Sequence, residues 1–535
     1  AAVRAAEGAP TAAAAATRPV PRPTGAVCWE LQRPGASPLH LGDLVRLPDT
    51  EAAASSGARL AVVRELRDAA GGADAAVCRA TPLLADSNVE AAEDVELRAG
   101  SVEVEEQGAA PWRPPTCVER FEEESQFPKL VFQPGGLKPF ADALRRRRCK
   151  ICALGGSISL QKAGYRVNLA QALGRRGVQV QDQPLSVGTA GSKPLALIVG
   201  DRIAAERPDL LIVEVAVNDG DELLENTPRP DVAGILRAAE GIVRTVRRKS
   251  PATAIVFLEM FLRDDTEAAR VLKTGAEAWR DTSSQDAVGW YHEVAPRLHR
   301  HICRRYGLAQ LDLVPALRAI PTVVRQQWFR DDCHHSEIGG EKLGNLVARL
   351  LLWAVRQPAV PAAAAAALPA PLDARCWCNG RTIRINAGWL APTHVKYQEK
   401  DLLKLGEIAD WLLLGPGGQA TIPFKGRACG LMTMLGPDAP TLRVRVDGGP
   451  RSRLPLLDRW CYYWRDAVVL LCEGLSDATH MLHLEVEAEP PDHSILKRQP
   501  SSPLWDQFKA EARQAGRPPQ KLWLLYACAV EGERP

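Results

Sequence analysis

The rhythm of apolar and polar positions changes twice along the chain. Between Ala26 and Val104 short apolar runs alternate with polar turns: Leu44–Leu47, Leu60–Val63, Ala75–Cys78, Val95–Leu97 and Val102–Val104. That pattern predicts a small β domain over residues 25–105. From Lys150 onward, runs as short as buried strands alternate with longer amphipathic stretches. The strands are expected at Ile151–Leu154, Val178–Val180, Leu210–Ala216, Ala254–Leu258 and Leu311–Leu313. The helices are expected at Tyr165–Arg176, Leu195–Arg207, Val232–Arg248, Trp290–Tyr306 and Gly340–Val355, with a further one at Pro139–Arg148. Strictly alternating elements predict an α/β fold: a parallel sheet with helices on both faces, three layers in all. Beyond the Ala/Pro-rich stretch 357–371 the helical rhythm fades. Runs at Ala420–Phe424, Leu442–Val446, Ala467–Cys472, His480–Val486 and Leu522–Val530, separated by Gly-Pro-Asp and Asp-Gly-Gly turns, predict a C-terminal β-sandwich over 372–535.

Composition adds boundaries rather than chemistry. The 535 residues are enough for about three domains. Residues 1–24 are Ala/Pro-rich and are expected to be disordered. Residues 106–137 are polar and contain proline, which reads as a linker. A formal net charge of +3 is too small to argue for a nucleic-acid or anionic-membrane partner. No apolar run approaches the roughly 18 residues of a membrane span. The chain opens on Ala1 without an apolar signal core, so a processed N-terminus and an organellar or secretory destination both stay open. Thirteen cysteines spread over so long a chain do not make a disulfide scaffold. Cys149 and Cys152 have redox or zinc spacing, but Cys152 falls inside an apolar strand and no second such pair accompanies it, so both read as structural. Arg145 to Arg148 read as a solvated helix end, and His292, His299 and His301 as surface positions of one helix.

The chemistry concentrates where strands of the middle segment end. The run Lys150–Ser159 (KICALGGSIS) stops at Gly155-Gly156, and Ser157 follows. In an α/β sheet a serine at a sharp glycine turn beyond a strand's C-terminal end is placed to act as a nucleophile. The loop Ser186-Val-Gly-Thr-Ala-Gly-Ser192 is small and glycine-rich, so its N–H groups can approach an oxyanion. Glu214-Val-Ala-Val-Asn-Asp219 reads as a strand ending in an amide side chain, and Arg330-Asp-Asp-Cys-His-His-Ser-Glu-Ile-Gly-Gly340 sets carboxylates three residues before histidines. Serine is a poor nucleophile until a histidine takes its proton, and that histidine needs a carboxylate to hold its tautomer. The same residues also have plain readings. Asn-Asp is a common turn former, and Cys333 beside His334 and His335 resembles a weak metal cluster.

Together, in this order, GGSIS, EVAVND and DDCHHSEIGG resemble the blocks of the SGNH (GDSL-type) hydrolase superfamily over Pro139–Val355, in the branch with GGSI(S/T) and VExAVND blocks. The resemblance implies an SGNH-hydrolase-like core over 138–356 and a serine esterase without cofactor or metal. Ser157 would be the nucleophile, His334 the base and Asp331 its partner. Ser157 N–H and the Asn218 amide would be oxyanion donors, with a third from Gly188, Thr189 or Gly191. His335 stands where a proline is usual, which leaves His335 with Asp332 as an alternative pair. Leu41–Pro48 faintly resembles the opening of Tudor-like and BAH-like modules, consistent with an SH3-like N-terminal barrel. The sandwich resembles modules that accompany carbohydrate esterases, with Trp460, Tyr462, Tyr463 and Trp464 as a sugar-stacking surface; core packing is the competing reading for these aromatics, and Trp389, Trp411 and Trp523 read as core. The expected substrate is a small-molecule or carbohydrate ester. A non-catalytic scaffold on the same fold and an acyltransferase using the same residues are the alternatives.

Overall fold

The computed structural model describes residues 124–225, 231–263, 294–318, 320–358, 368–391, 395–401, 408–496, 503–515 and 520–532, together with the backbone of five strands between 44 and 104. Those five strands, β1 (Leu44–Arg46), β2 (Leu60–Arg67), β3 (Val77–Leu83), β4 (Val95–Arg98) and β5 (Glu103–Val104), form one antiparallel sheet. Its order is β4-β3-β2-β1-β5, so the last strand returns beside the first. The insertion following Arg263, His292 and the side chain of Trp411 lie outside the described residues.

The middle segment is a six-stranded sheet. Its strands are β6 (Val131–Phe132), β7 (Arg148–Gly155), β8 (Gln179–Pro184), β9 (Leu210–Glu214), β10 (Ala254–Glu259) and β11 (Ala309–Asp312), in the order β6-β11-β10-β9-β7-β8. The pairs from β7 to β11 are parallel, as the strand–helix alternation predicts; β6 is antiparallel to β11. That edge strand corrects the reading of 106–137 as a linker throughout. Phe127 and Leu130 are fully buried, because the run Phe-Pro-Lys-Leu-Val-Phe carries enough apolar surface to join the core.

The order of the strands sorts the helices. Helices α1 (Lys138–Arg145), α2 (Tyr165–Gly174) and, later in the chain, α8 (Glu337–Ala354) cover one face; α3 (Ser192–Glu206), α5 (Val232–Lys249) and α6 (Ala295–Tyr306) cover the other. Two more helices stand by the site, α4 (Ala216–Glu225) and α7 (Thr322–Trp328). β9, fully buried along its length, is a continuous apolar run rather than an alternating one, as a strand covered on both faces must be.

The C-terminal segment contributes three antiparallel sheets. One contains β12 (Cys378–Arg384), β16 (Ala428–Leu435), β19 (Arg465–Cys472) and β22 (Tyr526–Glu531); it faces a second, made of β15 (Gln419–Lys425), β17 (Thr441–Val446), β18 (Ser452–Pro455) and β20 (Thr479–Val486). Ala420, Ile422, Leu442, Val444, Leu482 and Leu484 point inward between them. A third, smaller sheet, β13 (Val395–Asp401), β14 (Ile408–Leu414) and β21 (Leu522–Leu524), and a helix, α9 (Pro503–Ala515), were not evident from the β rhythm. The first sheet also packs on α3 and α5. Helix and strand touch backbone to backbone there: a Cβ on Gly200 would overlap the carbonyl of Gly380, and one on Gly241 the carbonyl of Trp377. Glycine is required at both positions for this closeness. No described helix is long and apolar enough to cross a membrane.

Candidate active site

β7 ends at Gly155, and one helical turn, Ser157–Leu160, follows with Gly156 as its cap. A side chain at Gly155 would meet the backbone of Glu214, and one at Gly156 the amide of Asn218, so the neighbouring strand and helix press against this turn. The turn puts Ser157 at the first helical position, where its N–H has no intrahelical acceptor.

The histidine comes from the loop before α8. Phe329 and His335 form an isolated antiparallel bridge, and Arg330 N–H donates to the carbonyl of His334 at 3.0 Å, closing a tight loop. Inside it, Asp331 Oδ1 accepts the backbone N–H groups of Cys333 (3.1 Å) and His334 (2.8 Å). The same carboxylate lies 2.9 Å from His334 Nδ1, and His334 Nε2 lies 2.7 Å from Ser157 Oγ. Asp331 thus orients the imidazole, and the imidazole faces the hydroxyl. Burial works to raise the Asp331 pKa, but the hydrogen bond and charge of His334 and the two backbone donors outweigh it and hold the carboxyl well below its ordinary value.

The structure does not bring the alternative pair together. The His335 ring is fully buried, stacked edge-on against Phe329 at 5.1 Å and beside Phe261 at 6.5 Å, and neither ring nitrogen has a hydrogen-bond partner. Burial, followed by the neighbouring His334 charge, pushes its pKa down to about 3, so it stays neutral. Asp332 turns to Arg263, 3.7 Å away. Gln161, which sequence reasoning missed, holds the His335 backbone. Its amide donates to the His335 carbonyl at 2.9 Å and accepts the His335 N–H at 3.1 Å, tying the serine turn to the histidine loop.

Asn218 is not at a strand end. β9 stops at Glu214 and α4 starts at Ala216, because Asp219 N–H returns to the carbonyl of Val215 at 2.8 Å. Asn218 therefore projects from a first helical turn against Gly156. The candidates in the 186–192 loop separate. Gly191 is buried, caps α3 and packs on Asn218 and Asp219. Thr189 is exposed in a left-handed conformation (φ 61°), and among the described residues the N–H groups of Gly188 and Thr189 have no acceptor. Gly188 and Thr189 are thus the open part of the loop.

Beneath lies a charged layer that the sequence did not reveal. Asp219 accepts both the N–H and Oγ–H of Ser192 at 2.6 Å. His299, expected at the surface, is fully buried; its Nε2 is 3.0 Å from Asp219 and its Nδ1 3.1 Å from Glu259. Burial alone would lower its pKa, but the Glu259 charge and the two carboxylate hydrogen bonds hold it up, at about 10, so His299 is an imidazolium donating at both ends. His301 is buried as well. Beside them Glu214 is fully buried; desolvation first, then the Glu259 and Asp219 charges, raise its pKa to about 8 against the hydrogen bond from Ser159.

Asp331, Cys333 and His334 each offer a metal-ligand atom, all within 4.8 Å of one another. The imidazole nitrogen concerned is the one facing Asp331, so an ion there would break the Asp331–His334 bond. Trp464 is buried with its indole N–H on Asp438 at 2.8 Å, so it belongs to the core; Trp460, Tyr462 and Tyr463 remain half-buried neighbours.

Residues 153–342 match the model of the GDSL-like lipase/acylhydrolase family. No curated protein matches the chain. Among solved structures, a two-domain esterase (CEX) active on acetylated mannans, co-crystallised with mannopentaose, is similar at 14% identity over 77% of this chain and 99% of that one, with a TM-score of 0.54. The same esterase without that ligand is similar at 15% identity, again with a TM-score of 0.54, over 77% and 100%. An acetyl xylan esterase, AlAXEase, aligns at 15% identity over 39% of this chain and all of its own, with a TM-score of 0.29.

Proposed function

We propose that this chain is a serine esterase that removes an acyl group, acetyl first among them, from a carbohydrate; the match of residues 153–342 to the GDSL-like lipase/acylhydrolase family supports the ester-bond part of this reading. The observation that carries the proposal is the relay Asp331–His334–Ser157, with links of 2.9 and 2.7 Å. In this reading Ser157 Oγ attacks the ester carbonyl while its proton passes to His334 Nε2. The oxyanion is held by Ser157 N–H, the Asn218 amide and an N–H at Gly188 or Thr189. His334 then gives its proton to the departing alcohol, leaving an acyl-enzyme. Water, deprotonated by the same nitrogen, releases the acid and restores the serine. Asp331 stays ionised and stabilises the imidazolium at each step. The carbohydrate part of the proposal is supported by the sandwich packed on the catalytic domain and by the likeness in fold to an esterase whose own substrates are acetylated mannans.

The test compares wild type with Ser157→Ala on p-nitrophenyl acetate and on an O-acetylated glucomannan. Turnover should fall by about 10³-fold or more, and labelling by a fluorophosphonate probe should vanish. A fall of less than tenfold would sink the nucleophile assignment. Faster turnover of long-chain esters, with no acetate released from the glycan, would sink the substrate assignment while leaving the nucleophile intact.

A further inference from the structure

Residues along β15, β17, β18 and β20 alternate between the two faces of their sheet. The inward set is apolar and the outward set is not. Register places Thr421, His483 and Arg445 side by side in one row across three strands, and Gln419, Glu485, Arg443 and Arg453 in the next. Gln419, Thr421, Arg443, Arg445, His483 and Glu485, with Arg451, line an open hollow of about 90 Å³ on the side of the sandwich away from α3 and α5. Two carboxylates are present. Glu487 is shared by Arg443 (3.2 Å) and Arg453 (3.0 Å), and Glu485 by Arg443 (3.8 Å) and Arg451 (3.9 Å). Arg445, half-buried in the same hollow, has no carboxylate partner among the described residues. Three guanidinium groups and His483 thus meet over a single lining carboxylate, Glu485. The His483 ring is fixed by Thr421 Oγ1 at 3.1 Å from Nδ1, leaving Nε2 as its second polar atom. Met481 (37% exposed) and Pro423 form an apolar step beside the row.

We propose that this outer face is a binding site for an acidic polysaccharide, separate from the catalytic centre. Arg445 takes a uronate carboxylate, and Arg443 and Arg451 add to its field. Gln419, Thr421 and His483 exchange hydrogen bonds with ring hydroxyls, and the Met481–Pro423 step accepts a sugar's apolar face. Guanidinium is suited to this role because its planar fork matches a carboxylate in two parallel bonds. The hollow fits one carboxylate, and the sheet face beside it is open for the rest of an extended chain. The choice of a carbohydrate rests on the esterase reading above; the anionic character rests on the arginines alone.

The experiment is affinity electrophoresis of the full wild-type chain through gels containing polygalacturonate, its highly methyl-esterified form, or neutral glucomannan. Retardation is expected with polygalacturonate alone, and it should weaken as salt is raised from 50 to about 300 mM because the contacts are exposed charges. Arg445→Ala and, independently, His483→Ala should each weaken binding at least tenfold while hydrolysis of p-nitrophenyl acetate stays within twofold of wild type. Retained activity shows that each variant folds, so lost binding is not lost structure. Unchanged retardation of both variants, or equal retardation by the methyl-esterified polymer, would overturn the site. Retardation equally strong with a polyanion lacking sugar, such as polyglutamate, would overturn the carbohydrate assignment. None of these outcomes depends on Ser157, so the site and the esterase reading fail separately.

Discussion

Gly156 is the residue on which the proposed oxyanion site turns. Its backbone is extended, and its requirement is space: a methyl group there would overlap Asn218 Oδ1 and approach the carbonyl of Ala190. Gly156→Ala should therefore push the Asn218 amide aside without disturbing the Asp331–His334–Ser157 relay. One misplaced oxyanion donor typically costs about 10²–10³ in turnover, so kcat should fall by at least tenfold with KM little changed; unchanged kcat would remove Asn218 from the mechanism. The neighbouring histidines make the opposite pair. His334→Ala should abolish turnover, whereas His335→Leu should keep it. His335→Leu should also leave stability unchanged or raise it by about 1 kcal/mol, since both ring nitrogens are buried without partners and an unsatisfied buried polar group costs roughly 1–3 kcal/mol. Urea unfolding and steady-state rates on the two variants check this. The spacing of four short blocks was legible in the sequence and named both histidines. The choice between them was not, because it is made by contacts remote in sequence: the turn at Asp331 aims one ring, and Gln161, more than 170 positions earlier, holds the backbone of the other.

At the level of elements, the segment Leu210–Asp219 shows why a local pattern can mislead. Its apolar run favours a strand as far as Ala216, yet the chain turns helical there. The reason is tertiary: Asp219 is needed inside, where it joins Ser192 to His299 and so locks α4, α3 and α6 together. Nothing in the helix carrying His299 marks that residue as buried, since the polar groups that satisfy it lie on β10 and α4. This layer has a pH signature. Glu214 is neutral in the folded chain up to about pH 8, whereas in the unfolded chain it ionises from about pH 4.5. Its contribution is therefore present in acid and is lost as pH rises between those values. His299, raised to about 10, contributes fully below its ordinary value near 6.5 and loses that contribution as pH climbs toward 10. Both push the same way, so wild-type stability should decline from pH 6 to 9. Glu214→Gln removes the first part. Its unfolding free energy should rise relative to wild type as pH goes from 5 to 8 and then level off. Urea unfolding at five pH values tests this, and a pH-independent difference between the two proteins would show that Glu214 is ionised in the fold.

On the scale of the whole molecule, the rhythm of the sequence marked three segments, and the Ala/Pro stretch 357–371 before the sandwich reads as a linker at a domain boundary. The packing is closer than a linker implies. Trp377, Ala428, Met432, Val468, Cys528 and Val530 of the sandwich lie in one continuous apolar core with the helices of the α/β domain. β16 reads ACGLMTML and is buried along its whole length, because one face meets helices and the other the second sheet. This is legible afterwards in the absence of alternation, but a continuous apolar run does not say what covers it. An ionic link reinforces the contact. Lys193, next to Ser192 in α3 and almost wholly buried, meets Glu222 of α4 at 2.9 Å, Asp231 at the start of α5 at 2.5 Å, and Glu473 of the sandwich at 3.1 Å. The sandwich therefore braces the helix that follows the proposed oxyanion loop. Two consequences are open to measurement. The catalytic segment and the sandwich should unfold in a single calorimetric transition, because separating them exposes the apolar faces of α3 and α5. Glu473→Gln leaves the Lys193 ammonium with two carboxylates instead of three, so it should slow ester hydrolysis several-fold through kcat while lowering Tm by only a few degrees. Two resolved transitions, one matching the isolated sandwich, would show instead that the domains are independent bodies; full activity in Glu473→Gln would show that the brace carries no load from the sandwich to the site.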